Sequence, residues 1–180
     1  MDKVEKAIYF ATKAHNGQNR KMEDVAMIFH PFTVGMILQR AGCCDDIIIA
    51  GLLHDVIEDT PYTKEDIEKR FGKKIANIVD GVSESDKSLP WKVRKQETID
   101  HVKDSGIEVK LVECADKINN LESIYIDLQR EGEEVWSKFK RGRKDQEWYH
   151  KNVYESIIAN TDKKHPLFKR QKVLIKQVFG

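Results

Sequence analysis

Apolar residues recur at intervals of three and four positions along almost the whole chain, and only four prolines and ten glycines interrupt its 180 residues. That period is typical of amphipathic α-helices, which bury one apolar stripe against a core. The pattern therefore predicts an all-α protein, a helical bundle of about eight to ten helices.

Local signals place several helix ends. Pro31 fits the first turn of a helix, and Asp45 or Asp46 is predicted to cap the next helix, whose sequence is IIIAGLLHDVIED. Thr63 and Asp66 predict a capping box at the start of a short helix. The other predicted helices cover residues 2–16, a short stretch ending at 82, 91–104, 108–129 and 145–160.

The length fits a single domain, since domains usually run to roughly 100 to 200 residues. We assign residues 1–160 to that domain. Residues 161–180 form a basic C-terminal tail, which is predicted to be a peripheral helix or partly mobile.

The overall charge gives no sign of a macromolecular partner. The formal net charge is +1 and the sequence pI is about 7.7, so neither nucleic acid nor a membrane surface is expected to bind. No apolar run approaches the ~20 residues of a membrane helix, and the N-terminus lacks the apolar centre of a signal peptide. Three cysteines without a disulfide or zinc spacing are read as reduced thiols, and a cytoplasmic location is expected.

The most informative segment is LLHDVIEDTPY, because four potentially charged side chains lie beside an apolar stripe. Residues four apart share a helix face, so His54 lies over Glu58 and Asp55 over Asp59. Burying such groups without partners costs several kcal/mol. A divalent cation would explain the cluster.

Two further residues make a metal site more specific. His30 begins the preceding predicted helix, and Asp116 lies in the later segment CADKINNLESI. With His54 and Asp55 they would supply two imidazoles and two carboxylates, a donor set that suits manganese, iron or zinc better than calcium. The residues themselves leave the identity of the metal open.

The motifs His30-Pro31, LLHDVIEDT, FG and ADKINNL together resemble the HD-domain phosphohydrolases of the RelA/SpoT type, over roughly residues 4–158. The resemblance implies an HD-domain helical bundle and hydrolysis of the alarmone (p)ppGpp. It also implies that a divalent metal, most often Mn²⁺, is held by the residues that match the family's ligands. These are His30, His54, Asp55 and Asp116.

The resemblance implies that Glu58 and Asp59 are the acid–base residues of the reaction. In the family, the matching carboxylates orient or deprotonate the attacking water and manage proton transfer to the departing group. The alternative interpretation is a charged helix end that faces solvent.

The resemblance also implies residues that bind the substrate. Arg20 and Lys21, in the segment GQNRK, match residues that lie over the base and phosphates. Asn120 matches an asparagine that contacts nucleotide, and Ser123 lies on nearly the same helix face. The following segment, MEDVAMIFHP, has one residue more than the family's pattern and lacks its Pro and Tyr. The loop over the substrate is therefore expected to differ in geometry from that of the family.

A basic segment, residues 138–144, is open to two interpretations: a solvated loop, or a surface for the charges of a pyrophosphorylated nucleotide.

The leading hypothesis for the chain is a stand-alone small alarmone hydrolase that removes the 3′-pyrophosphate of ppGpp or pppGpp, leaving GDP or GTP. One alternative is an HD phosphohydrolase acting on another nucleotide, such as a nucleoside monophosphate or an NADPH-like dinucleotide. Another is a nucleotide-sensing module without turnover. The oligomeric state is left open.

Overall fold

The computed structural model describes residues 1–20, 25–84 and 86–180, and these residues form an all-α bundle. An isolated antiparallel bridge joins Asn19 to Ala26. None of the helices in the described ranges is long and apolar enough to span a membrane. The helices are α1 (Lys3–Ala14), α2 (Phe29–Arg40), α3 (Asp45–Leu53), α4 (Val56–Asp59), α5 (Lys64–Phe71), α6 (Lys73–Val82), α7 (Trp91–Asp104), α8 (Ile107–Glu131), a 3₁₀ helix (Gly132–Lys138), α9 (Gly142–Ile158) and α10 (Pro166–Phe179).

Two central helices organise the core. Every residue of α3 from Ile47 to Leu53 is buried, and α8 packs against α2, α3, α6, α9 and α10. The 25-residue helix α8 carries buried polar residues as well as apolar ones, including Asp116 and Lys117. The polar groups of α8 therefore face the interior of the bundle and need partners there.

Glycines allow α2 and α3 to lie close together. A Cβ atom at Gly51 would lie 2.4 Å from Leu38 Cδ1, and one at Gly35 would lie 2.7 Å from Leu52 Cδ2. Only glycine avoids these clashes without a shift of the neighbouring leucine. This close approach brings the start of α2 beside the end of α3, where His30 and His54 lie.

The segment LLHDVIEDT is not the single helix that the periodicity predicts. Helix α3 ends at Leu53, His54 and Asp55 form a turn, and α4 begins at Val56. Asp55 has φ −88° and ψ −6°, a region typical of turns and of many active-site residues. The predicted cap also differs: Cys44 is the N-cap of α3, and Asp45 and Asp46 lie in its first turn.

The C-terminal segment is a packed helix in the structure. Helix α10 lies along α8 and α9, and buries Leu167, Phe168, Leu174 and Val178. The assignment of residues 1–160 to a separate domain stays a prediction, but the segment after it contributes apolar side chains to the same core.

Candidate metal and acid–base site

A cavity of about 750 Å³ lies where α2, α4, α7, α8 and α9 meet the turn after α3. Nine of the ten residues predicted for the site line this cavity, and the tenth, Lys21, lies outside the described residues. The nine are Arg20, His30, His54, Asp55, Glu58, Asp59, Asp116, Asn120 and Ser123. The structure therefore brings together residues that are up to 103 positions apart in the sequence.

Two imidazole rings meet at the base of the cavity, with the Nε2 atoms of His30 and His54 3.1 Å apart. The Nδ1 atom of His54 lies 2.8 Å from the carbonyl oxygen of Gly51, and that of His30 lies 2.6 Å from Oδ1 of Asn119. Since both oxygens are acceptors, each Nδ1 carries the proton and donates it. In its neutral form each ring would present the lone pair of Nε2 to the other ring and to the cavity.

Carboxylate oxygens complete this cluster. Oδ1 of Asp116 lies 3.0 Å from Nε2 of His30, and Oδ1 of Asp55 lies 3.2 Å from Nε2 of His54. One donor atom each from His30, His54 and Asp116 lies within 4.8 Å of the other two. Acceptor groups that face one another repel unless a proton or a cation lies between them, and two nitrogens with carboxylate oxygens form a donor set that fits a divalent transition metal.

The electrostatics of the cluster agree with this reading. The two carboxylates also favour the protonated form of His30: burial lowers the pKa of this ring, but the hydrogen bond with Asp116 and the charge of Asp55 outweigh burial and raise that pKa above its ordinary value. Burial raises the pKa of Asp116, yet the charge of Lys117 and the hydrogen bond with His30 hold that pKa well below its usual range. Asp116 is therefore ionised, and the cluster attracts positive charge.

The two carboxylates of the predicted acid–base pair lie at the rim of the same cavity and share a lysine. Nζ of Lys87 lies 2.5 Å from Oδ1 of Asp59 and 3.4 Å from Oε1 of Glu58. Burial, followed by the charges of Asp55 and Glu84, raises the pKa of Glu58 above its ordinary value. A carboxyl group tuned in this direction suits proton transfer near neutral pH.

The residues predicted to bind substrate have contacts of their own. Nδ2 of Asn120 donates to Oδ1 of Asp116 at 2.7 Å, so this amide also orients a candidate metal ligand. Gln18, in the GQNRK segment, donates from Nε2 to the backbone oxygen of Asp59 at 2.8 Å and accepts from Nδ1 of His15 at 2.8 Å. The start of this segment is therefore tied to the acid–base pair.

The cations of the basic segment 138–144 do not line the cavity in the described part of the chain. Lys138 pairs with Asp127 and Glu131, and Arg143 pairs with Glu133 and donates to the backbone oxygen of Phe179. These contacts favour the interpretation of this segment as a structural, solvated loop.

Sequence reasoning missed several polar residues of the site, including Lys87, Asn119 and Lys117. Lys87 lies 28 positions from Asp59, and Asn119 lies 89 positions from His30, so helix periodicity alone carries no signal for either contact. Lys117 follows Asp116 directly, and its buried position on α8 becomes evident only when the neighbouring helices are placed.

Comparison with known proteins agrees with the geometry. The family model described as "HD domain" matches residues 7–147. The ppGpp 3′-pyrophosphohydrolase MESH1 of Danio rerio is 41% identical over 133 residues, which cover 72% of this chain and 71% of that protein. The human MESH1 is 37% identical over 134 residues, covering 73% and 72% of the two chains.

Solved structures show the same fold. A structure described as that of a metazoan SpoT orthologue that hydrolyses ppGpp superposes with a TM-score of 0.82 and 29% identity, covering 98% of this chain and 96% of the other. The protein lmo0812 of Listeria monocytogenes superposes with a TM-score of 0.79 and 39% identity, covering 83% and 98%. The chain therefore belongs to the HD-domain family of metal-dependent phosphohydrolases.

Proposed function

We propose that this protein is a manganese-dependent hydrolase that removes the 3′-pyrophosphate of ppGpp or pppGpp, leaving GDP or GTP. One observation carries the proposal: the lone pairs of two histidine Nε2 atoms converge with two carboxylates in the cavity that also holds Glu58 and Asp59. The 3′-pyrophosphohydrolases that are 37–41% identical to this chain give the substrate class.

The proposed metal ligands are His30, His54, Asp55 and Asp116. Mixed nitrogen and oxygen donors suit Mn²⁺, and a bound divalent ion would polarise a phosphoryl oxygen and lower the pKa of water. Asn119 and the carbonyl of Gly51 hold the two rings with Nε2 towards the cavity, where the ion would bind. Such outer partners commonly raise the affinity of histidine ligands.

The acid–base residues act on the reacting water and on the departing oxygen. The oxygen of water bonds to the phosphorus next to the 3′ oxygen, the bond between that phosphorus and the 3′ oxygen breaks, and a proton ends on the 3′ oxygen. Glu58, with its raised pKa, is proposed to take a proton from the water, and Asp59 lies beside it at the rim. Lys87 holds both carboxylates in place.

The substrate is a small nucleotide, and the cavity of about 750 Å³ is within the usual range of roughly 300 to 1,000 Å³ for small-molecule sites. Arg20, Asn120 and Ser123 line it and are proposed, with Lys21, to contact the base, ribose or phosphates. A cytoplasmic location is proposed with this function, because the three cysteines are free thiols.

The proposal is tested by incubating the purified protein with ppGpp and Mn²⁺ and separating the nucleotides by anion-exchange chromatography. GDP and pyrophosphate are expected in equal amounts, and Asp55→Asn is expected to abolish their release. Asp80→Asn is a matched control, because Asp80 pairs with Lys64 away from the cavity and its loss should leave turnover unchanged.

A substrate panel separates the two alternatives. Rapid release of phosphate from NADPH or from a nucleoside monophosphate, with none from ppGpp, would reject the substrate assignment. Tight binding of ppGpp by manganese-loaded protein without any product would instead identify a sensing module.

A further inference from the structure

A buried lysine, Lys117, lies beside the proposed metal ligands and lines the same cavity. Lys117 is 7% exposed, and its Nζ lies 2.6 Å from Oδ2 of Asp116 and 2.9 Å from Oε1 of Glu113. The contact with Glu113 is an ion pair without hydrogen-bond geometry. The face of Tyr149 lies on another side of the ammonium, with its ring centroid 5.4 Å from Nζ. Because an isolated buried charge is costly, these two carboxylates are what allow Lys117 to be buried.

The two oxygens of Asp116 have separate partners. Oδ2 accepts from Lys117, whereas Oδ1 accepts from Nδ2 of Asn120 and lies 3.0 Å from Nε2 of His30. Rotation of this carboxylate would break the contact with Lys117 and leave a buried ammonium with one fewer partner. Lys117 therefore fixes the plane of the Asp116 carboxylate, so that one of its oxygens faces the two histidines.

Glu113 offsets the charge of this lysine. It is 2% exposed and lies one turn before Lys117 on the same face of α8. With a divalent ion held by Asp55 and Asp116, the ion and its two carboxylates would carry no net charge. An unbalanced Lys117 would then add a positive charge beside the ion and weaken its binding, so the carboxylate of Glu113 restores neutrality.

We propose that Glu113 and Lys117 form a positioning pair for the metal centre, in which Lys117 orients the carboxylate of Asp116 and Glu113 balances the charge of Lys117. The inference rests on the proposed function, since it requires that the cluster bind a divalent ion. Neither residue touches the reacting atoms in this account.

The first test is the affinity of the full-length protein for Mn²⁺, measured by isothermal titration calorimetry without nucleotide. Glu113→Gln is expected to weaken Mn²⁺ binding by about 10- to 100-fold, the range found for residues that support metal ligands. Glu113→Asp keeps the charge and is expected to retain most of the affinity. Glu122→Gln is the matched control: it removes a carboxylate from an ion pair elsewhere on α8, with Arg170, and should leave the affinity unchanged.

The second test separates orientation from charge. The double variant Glu113→Gln/Lys117→Met removes both charges, so its Mn²⁺ affinity is expected to recover towards that of the wild type. Its kcat for ppGpp at saturating Mn²⁺ is expected to fall by about 10- to 100-fold with little change in KM, because a misplaced ligand carboxylate shifts the ion relative to the substrate. Thermal unfolding in EDTA shows whether each variant is folded.

A purely structural role would change the unfolding temperature in EDTA without changing Mn²⁺ affinity or kcat. Wild-type Mn²⁺ affinity in folded Glu113→Gln, or wild-type kcat in the double variant, would overturn the inference. If the proposed function were wrong, the wild type would bind Mn²⁺ but leave ppGpp intact. The Mn²⁺ affinities of the variants would still test the positioning role of Glu113 and Lys117.

Discussion

Replacing Lys87 with methionine is expected to move the acidic limb of the pH–rate profile to higher pH. Nζ of Lys87 contacts Glu58 and Asp59, and its positive charge favours the ionised form of Glu58. Without that charge the pKa of Glu58 rises further, because burial and the neighbouring carboxylates already raise it. If Glu58 must be ionised to accept a proton, activity is then lost at a higher pH than in the wild type.

The size of this shift follows from the distance and the exposure of the pair. Two unit charges 3.4 Å apart interact by about 5 kcal/mol at an effective dielectric constant of about 20, and by about 1.2 kcal/mol in water. The side chain of Lys87 is 49% exposed, so the solvent-screened value applies, about 1 kcal/mol or less. Since 1.36 kcal/mol corresponds to about one pKa unit, we expect a shift of about 0.7 pH units.

The assay is the pH dependence of kcat/KM for ppGpp at a fixed, saturating concentration of Mn²⁺. Lys87→Arg keeps the charge and should keep the acidic limb near its wild-type position. Lys64→Met removes a lysine from a similar exposed ion pair outside the cavity, with Asp80, and should not move the limb. An acidic limb of Lys87→Met at or below the wild-type pH would refute the assignment of Glu58 as the base that Lys87 supports.

Three other substitutions test separate parts of the structure. Lys110→Met is expected to lower the free energy of unfolding by about 2 to 4 kcal/mol in urea titrations, because the lysine donates to two backbone carbonyls at the ends of α7 and α9; an unchanged midpoint would contradict this. Asn119→Ala should weaken Mn²⁺ binding in calorimetry by about 10- to 100-fold, since Asn119 orients His30, and wild-type affinity would rule out that role. Burial lowers the pKa of His150 to about 3, so the unfolded chain takes up a proton below pH 6.5 that the folded protein does not. His150→Gln should therefore lose about 2 kcal/mol less stability than the wild type between pH 7 and pH 5, and equal losses would refute the assignment.

Local signals in the sequence predicted much of the helical structure. Thr63 and Asp66 do form a capping box at the start of α5, and α7 covers the predicted range Trp91–Asp104. The start of each helix depends on neighbouring residues. In α5 a side chain accepts a hydrogen bond from a nearby backbone amide, and in α7 a proline precedes the first turn. Such interactions do not require knowledge of the tertiary fold.

Local sequence signals did not predict the break in the helix at His54. The apolar period continues through LLHDVIED without interruption, and neither glycine nor proline marks the end of α3 at Leu53. At this turn Nε2 of His54 makes a tertiary contact with His30, 24 positions earlier in the chain. Local propensity is commonly overridden where a site imposes its own geometry.

Site residues were predictable from the sequence mainly where the residue type itself is typical of a metal ligand. Histidines and aspartates in a shared pattern indicated a metal site, and the structure brings His30, His54 and Asp116 together. Asn120 was predicted because it lies four residues beyond Asp116 on the same helix face, whereas Asn119 was missed because its contact with His30 joins α8 to α2. The contact of Lys87 with Asp59 depends on how the segment after α6 returns to α4.

The central claim is a divalent metal centre at the base of the cavity, and anomalous diffraction from crystals grown with Mn²⁺ tests it most directly. We expect one strong peak about 2.0 to 2.2 Å from Nε2 of His30 and of His54, with oxygen atoms of Asp55 and Asp116 completing the coordination. A peak at another site, or none between the two imidazoles at saturating Mn²⁺, would contradict the account.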